Sequence, residues 1–146
     1  MAYSKKKGVG ILNFIFWLII ISYFVVCFAT FTFLYKIKYL ISYHLGMNIA
    51  MLSSGVIGIA VGGVLGHTFP AHYTLVTIIA TLIAMVIGAF FGALVDYQTL
   101  LSGVSGGLMA GIMGPMIGVM ADFGMVIFCS VLVYGVFGML CLSVRS

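Results

Sequence analysis

A chain of 146 residues is the size of one small domain, but 64% of these residues are apolar and only 5% are charged, which excludes a water-soluble fold. The net charge of +4 would point to nucleic acid in a soluble protein. Here three of the six cations, Lys5, Lys6 and Lys7, stand immediately before a long apolar run, so the charge reads as a topology signal and no nucleic-acid partner is expected.

Five uncharged stretches, 11–34, 47–66, 73–95, 101–120 and 125–142, are each long enough to cross the hydrocarbon of a bilayer as a helix, and every charged residue lies outside them or at their ends. None alternates apolar and polar residues as the strands of a membrane barrel do. The sequence therefore predicts an all-α integral membrane protein. Its parts are a basic N-terminal segment over 1–10, a retained signal-anchor helix with an interfacial segment over 11–46, and a four-helix glycine-rich bundle over 47–146. The Lys5 to Lys7 cluster places the N-terminus in the cytoplasm of a cell membrane; five crossings then put Lys36, Lys38 and Arg145, an equal number of cations, on the far side.

The first span, rich in Phe, Ile, Val and Tyr and free of glycine, suits a peripheral helix facing lipid. Tyr35, Tyr39 and Tyr43 follow at four-residue spacing around Lys36 and Lys38, the pattern of a short helix at headgroup depth that ends near His44. The other four spans read as two hairpins. A shift of 48 residues aligns Ser54, Gly55, Val56, Gly58, Gly63 and Gly66 with Ser102, Gly103, Val104, Gly106, Gly111 and Gly114, which suggests a parallel duplication. Between spans two and three, His67 and His72 flank Pro70 in a turn, too few ligands for a metal site.

Small residues dominate the bundle. In the second span Gly58, Gly62 and Gly66 step by four, with Gly55 assigned to the same side; in the fourth, Gly103, Gly107, Gly111, Gly114 and Gly118 occupy an arc of about 80°. Such faces permit the close backbone approach on which helix association in lipid depends. The third span carries Thr74, Thr77, Thr81, Met85, Gly88, Gly92 and Asp96 on one stripe, readable either as a packing seam or, through Thr74, Thr77, Thr81 and Asp96, as one wall of a polar path. Opposite the glycines of the fourth span, Met109, Met113, Met116 and Met120 fall within about 60°. Their thioethers are either flexible apolar filler or soft ligands for Cu(I), and Met47 and Met51 offer a second pair. Pro115, in the middle of that span, predicts a kink or hinge. Of the two acids, Asp122 fits a helix cap and Asp96 the path. The three cysteines, Cys27, Cys129 and Cys141, lie inside spans at no metal-binding spacing and read as inert buried thiols.

No pair of polar residues converges by spacing for acid–base or nucleophilic chemistry, so no catalytic site is expected. The expectation is a helix-packing or accessory subunit that contacts lipid and other transmembrane subunits or copies of itself, with no resident cofactor. The alternative is a small homo-oligomeric channel or carrier for a small cation such as Cu(I), along the Thr- and Met-lined faces.

Overall fold

The computed structural model describes residues 2–145, with side chains from residue 8 onward; the side chains of Lys5, Lys6 and Lys7, on which the cytoplasmic assignment rests, lie outside the described residues. The chain is a polytopic all-α membrane protein of five helices long and apolar enough to span a bilayer. These are α1 (Ala2–Ile37), α2 (Tyr43–Thr68), α3 (Tyr73–Gly92), α4 (Tyr97–Met120) and α5 (Phe123–Arg145), with single 3-10 turns at Lys38–Leu40 and Pro70–His72. Links of a few residues make consecutive helices antiparallel. Each end of the bundle consequently carries three of the six basic residues and one of the two aspartates.

The short helix expected after the first span is one 3-10 turn, because α1 itself continues to Ile37 and absorbs Tyr35. Lys38 lies 4.9 Å from the centroid of the Tyr35 ring and 5.4 Å from that of Tyr39, which holds the ammonium at the aromatic belt. His44 does not end a helix; it sits in the first turn of α2.

α2 is the hub. In its most apolar stretch 67% of residues are buried, against 22% in α1, which is peripheral as its composition implies. On one side α2 meets α3 and α4 through small residues; on the other it meets α1 and α5 through large ones.

Glycines set the first contact. A methyl group added at Gly62 would stand 2.6 Å from Pro115 Cδ and 2.9 Å from its nitrogen, and one at Gly66 would stand 2.6 Å from the Pro115 carbonyl oxygen. Gly114 and Gly118 approach the carbonyls of Gly58 and Gly63 in return. Between α3 and α4, Gly88 and Gly103 abut each other's carbonyls, Gly107 meets that of Ala84, Gly111 meets Thr81 Cα, and Gly92 lies against Thr99 and Leu100. α4 is thus wedged between two neighbours, and its arc of glycines divides between them: Gly103, Gly107 and Gly111 toward α3, Gly114 and Gly118 toward α2.

The second contact is built from side chains. Tyr23 and Leu34 of α1, Ile57, Val61 and Val64 of α2, and Val133 and Phe137 of α5 are almost completely buried in one cluster. Edge-on aromatic contacts from Phe31 to Phe90 and Phe91 tie α1 to α3, and Phe91 in turn meets Phe137.

Several expectations change in detail. Gly55 is not part of the glycine contact: it falls within the arc of Gly58, Gly62 and Gly66, yet a methyl group there meets nothing within 4 Å. Its repeat counterpart Gly103 is closely packed, so the aligned residues do different jobs. The repeat register is displaced as well, since Ser54 meets Gly106, Gly58 meets Ala110 and Gly62 meets Gly114, one turn further along α4 than the 48-residue shift. The second pair of helices is a hairpin by connection, but α5 leaves α4 after the turn and packs on α2 and α1. The glycine face of α4 is already occupied on both flanks. Finally, α4 runs through Pro115 without interruption, with the ring packed at Gly62 and the Pro115 carbonyl at Gly66.

Alanine at Gly88 or Gly103 is expected to lower stability by about 1–3 kcal/mol, the range for overpacking a filled interior. Gly55→Ala stays within about 1 kcal/mol of wild type, its added methyl being free. Unfolding of the three variants by graded denaturing detergent, followed by circular dichroism, measures the contrast. Thr99 is fully buried and its hydroxyl has no hydrogen-bonding partner among the described residues. Thr99→Val keeps the shape and removes the unsatisfied group, so the same assay should show a gain of about 1 kcal/mol.

Candidate functional site

The polar residues of the bundle were the first candidates for a path, and the backbone takes most of them. Thr77 donates to the carbonyl of Tyr73 at 2.8 Å and Thr81 to that of Thr77 at 2.6 Å, the self-bonding that hydroxyls adopt where no outside partner is needed. Thr74 is exposed at the helix start. Further along the same stripe, Gly88 and Gly92 are covered by α4. The stripe is therefore open at one end and a seam at the other. Asp96 stands beyond the seam as the N-cap of α4, its carboxylate accepting from the Tyr97 amide at 2.7 Å. Asp122 stands immediately before α5, the position expected of it, exposed and with its backbone carbonyl taking the amide of Met125. Nearby, Tyr43 donates to Gln98 Oε1 and joins the starts of α2 and α4.

The methionines face outward. Met109, Met113, Met116 and Met120 are 53 to 80% exposed on the side of α4 turned away from α2 and α3. Within one chain nothing stands across from them to complete a soft-ligand site. Met51 is on another helix and packs its backbone near Gly106. Among the described residues no group of three His, Cys, Asp or Glu side chains is placed to hold a metal ion. His67 meets Phe16 edge-on, with ring centroids 5.6 Å apart, while His72 is exposed at the start of α3. Cys27 and Cys129 are buried free thiols, and Cys141 is half-buried.

A feature the sequence reading overlooked joins the first helix to the last. Tyr23 and Ser130 oxygens lie 2.7 Å apart, and those of Ser22 and Tyr134 lie 2.5 Å apart. Ser130 gives its own proton to the Val126 carbonyl at 2.8 Å, so Tyr23 must be the donor to Ser130. These residues stand near the middle of their spans, where a hydroxyl without a partner is costly. Their signal was present, as Ser130 and Tyr134 are one turn apart on α5 and Ser22 and Tyr23 are adjacent on α1. Pairing them required knowing that α1 and α5 are neighbours.

Comparison of the chain with protein-family models, with curated proteins and with solved structures finds no match. The functional reading accordingly rests on the geometry alone.

Tyr23→Phe removes one interhelical hydrogen bond and leaves the ring in place. It should cost about 1 kcal/mol, within the range found for such bonds in membrane bundles, and the loss should be absent when Ser130 is already alanine. A double-mutant cycle under graded denaturing detergent tests both statements.

Proposed function

We propose that this protein is an accessory or scaffolding subunit of a membrane assembly, without chemistry of its own, that offers the outer face of α4 to other transmembrane segments or to copies of itself. One observation supports the reading above others. The glycines that bring α2, α3 and α4 together are consumed inside the chain, and the side of α4 left over is a continuous apolar surface of Met109, Ile112, Met113, Met116 and Met120. Unbranched thioethers adapt to an irregular partner at little cost, which is why methionine recurs on adaptable binding surfaces. The original expectation that glycine faces dock on partners is replaced, in this proposal, by a methionine face carried on a glycine core. The Lys5 to Lys7 run supports a cytoplasmic N-terminus.

The competing reading, conduction of Cu(I), requires the α4 faces of several copies to surround a common axis, because the thioethers of one chain face outward. Two double variants separate the readings. Met113→Trp with Met116→Trp adds bulk to the outer face without touching the core. Particles extracted in polymer discs are expected to shrink from a multi-chain mass to that of a single chain, with helical content unchanged; a mass equal to the wild type's overturns docking through α4. Met113→Leu with Met116→Leu preserves apolar volume and removes the sulfurs. Assembly should survive it, and a loss of Cu(I) binding in that variant would favour conduction.

A further inference from the structure

α1 and α5 run side by side in the same direction. They touch at Phe16 and Phe123, with ring centroids 6.1 Å apart, and again at the Tyr23–Ser130 and Ser22–Tyr134 pairs. Past Tyr134 they separate and leave a groove of about 810 Å³ open to the bilayer. Its α1 wall runs from Val26 to Ile37, and its α5 wall runs from Tyr134 past Gly138 to Arg145.

Three properties of this groove specify an occupant. Its length is the first: eleven helical steps from Val26 to Ile37 rise about 16 Å, which matches half of the roughly 30 Å hydrocarbon core and so the depth of one leaflet. The second is its lining. Thr30, a hydroxyl-bearing residue midway along the α1 wall, donates to the Val26 carbonyl at 2.9 Å, so below Arg145 this wall offers mainly hydrocarbon contact. Charge is the third. Arg145 lies at the mouth, at the end of the bundle that also bears Lys36 and Lys38, and the aspartate of that end, Asp96, is engaged in capping α4. A second groove on α1, of about 420 Å³ against Val86 and Phe90 of α3, has comparable apolar walls and no charged residue in its lining. The two differ in the cation.

We infer that the α1/α5 groove is a binding site for a phospholipid with a net negative headgroup. One acyl chain lies between the helices down to Tyr134, and the phosphate meets Arg145. This cation at the mouth, on an end of the bundle that also carries Lys36 and Lys38, favours an anionic headgroup and repels the ammonium of a zwitterionic one. Gly138 keeps the α5 wall flat; a methyl group there would meet nothing within 4 Å, so this residue is dispensable for packing within the chain and its bareness serves the groove.

The test uses the full-length protein, stripped of lipid in detergent and then titrated with dimyristoyl phosphatidylglycerol or dimyristoyl phosphatidylcholine, with bound lipid counted by native mass spectrometry. Wild type should retain one phosphatidylglycerol per chain and prefer it to phosphatidylcholine by about tenfold, as expected for more than one basic residue at an anionic lipid surface. Arg145→Gln should reduce that preference about fivefold, the equivalent of the ~1 kcal/mol gained per basic residue there. Gly138→Leu, filling the groove, should abolish retention of both lipids while circular dichroism and elution volume stay as in wild type. Equal retention of the two lipids by wild type, an unchanged preference in Arg145→Gln, or undiminished phosphatidylglycerol on folded Gly138→Leu would each overturn the assignment.

Discussion

Everything in this fold depends on how closely α4 can approach α2 and α3. Inside a bilayer, apolar side chains gain nothing by leaving lipid for protein, so helices associate through packing and through what few polar bonds they can make. The chain meets that constraint by omission. Wherever α4 crosses a neighbour, one or both partners lack a side chain: Gly88 against Gly103, Gly107 against Ala84, Gly62 and Gly66 against Pro115. A proline that would weaken a helix in water becomes the filler of a two-glycine notch, since its ring and carbonyl occupy volume where the opposing helix has none. Close packing on both flanks also leaves this half of the bundle little room for polar groups. Ser54 is buried there, against Gly88 and Gly106, and returns its proton to its own helix.

The other half is held by different means. α1 and α5 contribute aromatic rings, branched aliphatics and two hydroxyl pairs, and α2 supplies a wall of Ile57, Val61 and Val64. α2 can serve both halves because its residues sort by face, its glycines and Ser54 toward α3 and α4, larger side chains toward α1 and α5. The outcome is a tight three-helix unit with an outer pair of helices attached; grooves remain open between the outer pair and between α1 and α3, and the far side of α4 is exposed.

The number and type of helices were legible in the sequence because hydrocarbon thickness and backbone hydrogen bonding leave few options for uncharged runs of this length. The glycine arc of α4 was legible too, since a regular helix converts spacing into direction. Its division between two neighbours was not. Periodicity says which residues share a face and is silent on how many helices meet it. Gly55 makes the related point that sharing a face does not guarantee a close neighbour at every level along it. Asp96 reads as part of a path rather than as a cap because α4 begins four residues earlier than the apolar run that announced it, at Tyr97 rather than at Leu101, which brings Asp96 to the cap. The Tyr23–Ser130 contact, spanning most of the chain, is visible only once α5 is known to turn away from α4.

That contact joins α1 to α5, four helices later in the chain, and this has a bearing on biogenesis. A translocon delivers spans in order, so α1 enters lipid with Ser22 and Tyr23 lacking the partners that α5 will bring. The inner trio can close as soon as α4 emerges, whereas the earliest span must wait for the latest before its mid-bilayer hydroxyls are satisfied. Closure of the outer layer is thereby deferred until α5 has been made, and a chain halted after α4 would hold a finished core beside an unpaired first helix.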